Sequence, residues 1–394
     1  MINRRDWMLL AGTTAALSTL GRGAPAFGAN EDEDAKVRQA IDDAVKPVIA
    51  QYGIPGLVVG VSIAGRRHFG EYGFASGTPR ILATRDTLFE LGSISKTFTA
   101  TLAATAEIAG KLSLGDTVGQ HLPELAARPI GQARLLDLGT HTAGGFPLQI
   151  PDSVKTEAEL MDWYRAWKPK FAPGTVRTYA NPSIALLGIV TARAMGESFT
   201  ALAEGLLFPA LGLKRSYIDV PAAEMAAYAW GHRDGKPVRV GPSPIATEAY
   251  GVKSNAVDML RFLEVNMGVA TGEGSVPEPV ARAVAATHTG YYRTGPFIQD
   301  LIWEQYPWPV ALEKMVAGNS TVSSLHAVPA AAILPPMAPS ADTILNKTGS
   351  TGGFGAYVVC IPAKELGIVM LANQGYPNEV RTKAAYAVIE RVVG

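Results

Sequence analysis

Runs that read as β-strand lie near the two ends of this chain, with helical signals between them, and that separation limits the available folds more than any other feature. Near the start, Leu57-Val58-Val59-Gly60-Val61-Ser62-Ile63 is rich in β-branched residues. Gly65 marks a turn, and Arg67 to Phe74 reads as the returning strand of a hairpin. Near the other end, Gly355 to Ile361 and Gly367 to Ala372 are strand-like, separated by Pro362-Ala363-Lys364-Glu365. A helix over Asp34 to Tyr52 places Val37, Ile41, Val45, Val48 and Ile49 on one stripe, and Gly53 and Pro55 stop it. Asn378 is placed to cap a last helix, Glu379 to Val393, with Val380, Ala384, Ala387, Val388 and Val392 on its inner side.

Between roughly Gly115 and Pro335 the signals are mostly helices broken by Pro/Gly loops, such as Ser183–Ala194, Phe199–Leu206 and Ala256–Asn266. The expected architecture is therefore α/β (α+β). An antiparallel sheet formed from both termini is flanked by the terminal helices, with a mostly helical domain inserted. The sheet domain takes residues 30–92 and 335–394, the helical domain takes 93–334, and the site is expected at their seam. With 394 residues, 47% of them hydrophobic, the chain has ample material for a large core. Lys+Arg and Asp+Glu both number 35, a balance that gives no footprint for nucleic acid or an anionic membrane. Cys360 is the single cysteine, cannot close an intramolecular disulfide, and reads as a small buried hydrophobe in an apolar run.

Residues 1–29 read as an export segment rather than as part of the fold. Arg4-Arg5 precedes an apolar stretch running to about Leu20, and Ala24-Pro25-Ala26 offers a cleavage site, with Ala29 as a second. The arginine pair and the modest hydrophobicity match a twin-arginine signal. The run is too short and too polar for an anchor of about 20 apolar residues. An exported, periplasmic protein without a membrane anchor is expected.

Chemistry enters at Leu91-Gly92-Ser93-Ile94-Ser95-Lys96-Thr97-Phe98, where Ser93 and Lys96 stand three residues apart at the start of a helical stretch. Such residues are neighbours on a helix face, roughly 5–6 Å apart at Cβ. A serine is a poor nucleophile until a base takes its proton. Three further segments supply company. Tyr179 in Thr178-Tyr179-Ala180-Asn181 can act as a base if a neighbouring cation lowers its pKa from about 10. Asn181 offers an amide to bind a substrate carbonyl or orient a lysine. In Asn346-Lys347-Thr348-Gly349-Ser350-Thr351-Gly352-Gly353, the glycines suit an edge strand that a ligand approaches closely. Lys347 and Thr348 would recognise a carboxylate, and a backbone N–H near Ser350 could pair with that of Ser93 as an oxyanion hole. Asn378 and Arg381, beside the N-terminus of the last helix, form a candidate carboxylate site.

In order and approximate spacing, Ser93-Ile94-Ser95-Lys96, Tyr179-Ala180-Asn181 and Lys347-Thr348-Gly349 resemble the serine β-lactamase and penicillin-binding-protein superfamily. Tyr-x-Asn stands where class A enzymes carry Ser-Asp-Asn, and no counterpart of the class A deacylating glutamate is seen. The resemblance is to class C β-lactamases, the cephalosporinases. Phe89-Glu90-Leu91-Gly92-Ser93, the stretch Thr140 to Gln149, Ala249 to Ser254 and Gly367 to Asn373 also look like class C segments, and the likeness runs from about Ala35 to the C-terminus.

The resemblance implies the serine β-lactamase/DD-peptidase-like fold and hydrolysis of β-lactams, cephalosporins favoured, through a serine acyl-enzyme. Gln149 and Asn181 would contact the acylamino side chain, and Tyr250 would wall the site. Thr348 and Gly349 would bind substrate, and Asn378 with Arg381 would hold its carboxylate. Thr321 stands where many members carry an asparagine near that carboxylate. Ser93 would attack, Lys96 and Tyr179 would share the proton under the field of Lys347, and the Ser93 and Ser350 N–H groups would hold the oxyanion. Which of Lys96 and Tyr179 is the acylation base stays open. No cofactor and no metal are expected: none of the six histidines forms an H-x-H or H-x-x-x-H pair, and His141 is expected to be structural. A monomer acting on a small β-lactam is expected. Two rivals share these residues, a D-Ala-D-Ala carboxypeptidase or esterase and a non-catalytic β-lactam or peptidoglycan sensor.

Overall fold

The computed structural model describes residues 27–270 and 275–393; the candidate export signal lies outside them up to residue 26. The core of the molecule is a ten-stranded sheet in which every neighbouring pair is antiparallel. In spatial order its strands are Ala331–Met337, Gly290–Thr294, Phe297–Gln299, Glu304–Pro307, Thr343–Ser350, Gly355–Ile361, Leu366–Ala372, Gly56–Ile63, Arg66–Gly77 and Arg80–Leu82. The two termini meet where Gly56–Ile63 pairs with Leu366–Ala372, from Leu57 opposite Ala372 to Ile63 opposite Leu366.

Side chains alternate across a strand, so each central strand feeds two cores. Leu57, Val59, Val61, Tyr357, Val359, Ile368 and Met370 face one side. There they pack on the helices Phe27–Tyr52, through Val37, Ile41 and Val45, and Asn378–Val393, through Val388 and Ile389. Val58, Val358, Cys360, Val369 and Leu371 face the other side, against Met259, Leu260, Phe262 and Leu263 of the helix Ala256–Met267. Burial pushes the Cys360 thiol up to about 12, as suits a hydrophobe rather than a reactive group.

A third cluster is built from helices and the loops between them, with Leu135, Leu138, Leu160, Ile184, Leu187, Ile245 and Leu301 at its centre. The helix Ser95–Ile108 lies between it and the sheet. Phe98 and Leu102 point to the sheet side, while Ala100, Ala103 and Ala106 point to the helical side. Its residues 95–106 are all buried, the signature of a helix that is core on every face. Thr97, Thr101 and Thr105 return their hydroxyls to the carbonyls of Ile94, Thr97 and Thr101, so no polar group is stranded there.

Two expectations need correction. The sheet does not restart at residue 335: four strands between residues 290 and 337 extend it beyond Thr343–Ser350. Those strands are short, three to seven residues, and one of them reads Glu304-Gln305-Tyr306-Pro307. They carry little alternation of their own and are held by pairing, Glu304 opposite Asn346 through Pro307 opposite Thr343. The last helix also begins at Asn378 itself, with the Val380 and Arg381 N–H groups bonded to the Pro377 carbonyl. Its buried face is Arg381, Thr382, Ala384, Ala385, Val388 and Ile389.

Candidate active site

Ser93 sits in a tight turn, Gly92–Ile94, that feeds directly into the helix Ser95–Ile108. Gly92 has φ +53°, and a Cβ there would lie 2.5 Å from the Ser350 backbone nitrogen and oxygen. Only a glycine lets the turn and that strand touch. Ser93 is half-buried at the N-terminal end of a helix, where N–H groups lack intrahelical partners. One turn on, Lys96 is fully buried, and its Nζ donates to Ser93 Oγ at 2.9 Å and to the Ala249 carbonyl at 2.8 Å.

Tyr179 arrives on a loop that is pinned at three backbone positions. The Thr178 N–H donates to the His141 carbonyl (2.8 Å), the Ala180 N–H to His141 Nδ1 (3.3 Å) and the Asn181 N–H to the Leu148 carbonyl (2.9 Å). His141, at φ +60°, lays its ring 4.5 Å from that of Tyr179. Burial, reinforced by Arg177, Lys96 and Lys347, holds its imidazole well below the usual range, so it is a neutral wall. Asn181 opens the helix Asn181–Met195, and its Oδ1 is buried without a protein partner, free to take a ligand N–H.

The third side is the strand Thr343–Ser350. Its pairing with Glu304–Pro307 ends at Asn346, so Lys347 to Ser350 turn an unpaired edge toward the Ser93 turn. Gly349 is required there, because a Cβ would fall 1.9 Å from the Leu91 carbonyl oxygen. Lys347 Nζ donates to the Thr348 carbonyl (3.1 Å) and stands 5.0 Å from the Tyr179 ring centre, with Lys96 Nζ at 5.3 Å and the Arg177 guanidinium at 5.5 Å.

Electrostatics follow from that crowding. Burial drives Lys96 down to about 8, with Tyr179 opposing and Lys347 assisting. Burial alone would raise Tyr179; Lys347, then Lys96, then the Ser93 hydroxyl outweigh it and bring the phenol down to about 8. An amine and a phenol both brought down to about the same value can exchange a proton at little cost. The Tyr179 oxygen itself completes no standard hydrogen bond in this resting arrangement.

These side chains face a cleft of about 230 Å³, lined by Ser93, Gln149, Tyr179, Asn181, Lys347 and Asn378 among others. It continues into a space of about 310 Å³ walled by Tyr250 and Val240. Among the described residues no group of three His, Cys, Asp or Glu side chains is placed to hold a metal. What the cleft offers instead is a nucleophile, a shared base and two backbone edges. The Beta-lactamase family profile matches residues 38–392.

The chain belongs to the beta-lactamase family. It is 46% identical over 354 residues to a beta-lactamase of Pseudomonas fluorescens, covering 90% of this chain and 98% of that one. It is similar to a class C beta-lactamase solved in complex with cefoxitin: 40% identity, TM-score 0.87, 91% of this chain and 99% of that chain. It is also similar to a beta-lactamase/D-alanine carboxypeptidase from Pseudomonas syringae: 45% identity, TM-score 0.87, 90% and 98%. Within the family it is a class C serine enzyme.

For this beta-lactamase, the structure gathers Ser93, Tyr179, Lys347, Gln149, Asn181, Tyr250, Thr348, Gly349, Ser350 and Asn378 around one cleft, with Lys96 directly beneath Ser93. Two candidates fall elsewhere. Thr321 lies on an exposed turn whose N–H donates to Glu379 (3.1 Å), and Leu325 of that turn reaches the cleft instead. Arg381 is buried behind the Lys347 strand and serves its backbone. Its Nη1 donates to the Gly349 carbonyl (2.7 Å), Ser350 Oγ (3.0 Å) and the Ala356 carbonyl (3.2 Å), and its Nη2 to the Tyr376 carbonyl. Its place beside the helix N-terminus and the class C resemblance pointed Arg381 at the cleft, but neither could say which way its long side chain ran. Leu148 and Thr351, inside segments already singled out, also line the cleft, as do Val240 and Glu304, which carry no local motif that would have marked them.

A prediction separates the two roles of Arg381. Arg381→Met strands several buried carbonyls and is expected to lower stability by about 3 kcal/mol in urea titration. Its loss of kcat/KM should be the same for a cephalosporin and for that cephalosporin's carboxylate ester. A loss confined to the free carboxylate would return Arg381 to direct substrate contact.

Proposed function

We propose that this enzyme is exported by a twin-arginine signal and hydrolyses β-lactams, cephalosporins favoured, as a single chain. The 2.9 Å bond between Lys96 Nζ and Ser93 Oγ, under a tyrosine brought to about 8, carries the reading. Ser93 Oγ attacks the lactam carbonyl carbon and its proton passes to the Lys96/Tyr179 pair. The oxyanion is received by the N–H groups of Ser93 and Ser350, each worth about 10²–10³ in rate, a reading supported by the close approach of Gly92 to Ser350. The carbonyl C–N bond breaks, the ring nitrogen takes the proton back, and the acyl-enzyme forms. Water then enters beside Tyr179, gives a proton to the same pair and bonds to the acyl carbon; the Ser93 Oγ–C bond breaks, Oγ takes the proton back from the pair, and the opened acid leaves. Gln149 and Asn181 hold the acylamino side chain, and Lys347, Thr348 and Asn378 face the carboxylate. A single chain completes the site, and the Arg4-Arg5 pair with its apolar stretch supports export.

Steady turnover of a chromogenic cephalosporin by the purified protein tests this. A burst followed by a stable acyl-enzyme, with release of D-alanine from a D-Ala-D-Ala peptide, would favour the carboxypeptidase reading, an activity named for the Pseudomonas syringae relative. The charge state sets the pH dependence. The pair must lose one proton before it can accept that of Ser93, and both members lie at about 8. kcat/KM should therefore fall tenfold per pH unit below an acid limb near pH 8. A flat profile from about pH 5 to about pH 9 would refute the shared base.

A further inference from the structure

The reaction described above leaves one charged pair at the site without a role. Glu304, on the strand Glu304–Pro307, is 5% exposed and is the one carboxylate among the described residues lining the cleft at Ser93. Its Oε1 accepts from Arg177 Nη2 (3.3 Å), while its Oε2 is buried with no hydrogen-bond partner. Arg177 is equally buried, is anchored by Gln299 Oε1 (2.7 Å) and the Ser323 carbonyl (3.0 Å), and faces the Tyr179 ring. A buried carboxylate with a bare oxygen costs several kcal/mol in solvation unless nearby charge compensates it. The compensation available here is the group of cations around Tyr179.

We propose that Glu304 is a positioning residue of the reaction: held by Arg177, it balances the cations around Tyr179 and so sets how readily the shared base takes the Ser93 proton. Four elements around Tyr179 contribute a charge or a ring. Lys96 comes from the helix Ser95–Ile108, Lys347 from its strand, Arg177 from the strand Val176–Arg177, and His141, neutral, from its loop. Glu304 supplies the opposing sign; its charge favours the phenol over the phenolate at Tyr179. It faces the further phenols Tyr306 and Tyr357, which burial keeps protonated, so they add no second negative charge beside it. Without Glu304, three cations would crowd one buried phenol and favour its ionised form, a weaker base. With it, the proton stays movable between Lys96 and Tyr179. The inference rests on the shared-base reading of the same site.

The test is the kcat/KM–pH profile of wild type, Glu304→Gln and Arg177→Gln with a chromogenic cephalosporin. Removing the anion lowers both Tyr179 and Lys96, so the acid limb of Glu304→Gln should move down by roughly 0.5–1 pH unit. Removing Arg177 takes away a cation and unmasks the anion, so its limb should move up by a similar amount. Glu304→Asp, which keeps the charge, should stay with wild type. A uniform drop in rate with unmoved limbs in both Gln variants would make the pair merely structural and overturn the proposal. So would shifts of the same sign in both, or an Asp variant that tracks Gln. If the wild type shows no β-lactam turnover, the functional reading fails instead. If one Gln variant does not fold, the sign of the other still decides.

Discussion

Ser93→Ala is expected to lower kcat for a chromogenic cephalosporin by roughly 10⁴–10⁶-fold while leaving the fold intact. The size follows from the geometry: Ser93 is the hydroxyl that Lys96 addresses at 2.9 Å at the turn touching Ser350, so its loss removes the covalent route itself. The fold should survive because Lys96 keeps its bond to the Ala249 carbonyl and Ser93 is only half-buried. The melting temperature should change by no more than about 2 °C. Stopped-flow assays should show no burst. Turnover surviving the substitution would remove the nucleophile assignment and, with it, the roles given to Lys96 and Tyr179.

The second large effect belongs to a residue with no side chain. Gly349→Ala places a Cβ 1.9 Å from the Leu91 carbonyl oxygen and 3.1 Å from the Ile94 nitrogen, both backbone atoms of the nucleophile's turn. Neither can rotate away, so the strand and the turn must separate by more than an ångström. An error of that size costs about 10² in a positioned reaction, and losing one oxyanion donor costs about 10²–10³. The expected fall in kcat/KM is therefore at least about 10²-fold, with about 1–3 kcal/mol lost from overpacking. Gly77→Ala is the control: its Cβ would meet nothing within 4 Å, and activity should be unchanged. A Gly349→Ala enzyme with wild-type kcat/KM would show that Ser350 does not serve the oxyanion.

The periodic segments were legible without coordinates because a long stripe leaves few alternatives. The helix carrying Val37, Ile41 and Val45 and the strands around Val59, Val359 and Val369 appear where their patterns place them. The strands Gly290–Thr294 to Glu304–Pro307 were not legible, since runs of three to five mixed residues take their state from the neighbour they pair with. Arg381 fails for a related reason: a helix position fixes where a Cα sits, but an arginine reaches several ångströms from it, and buried carbonyls drew it inward.

By itself the sequence determined which groups are available to do chemistry. Ser93 and Lys96 are bound together by helix geometry, and Tyr179, Asn181, Lys347 and Thr348 stand in order along the chain. Tertiary structure alone decided what those groups are worth. Lys96 comes down to about 8 because it is buried, and Tyr179 because Lys347 and Lys96, from separate elements, outweigh its burial. Glu304 and Arg177, 127 residues apart, become one pair only in the folded chain. Local spacing can specify a contact within one helical turn, whereas Coulomb forces and desolvation act through space and depend on every element that closes around the site.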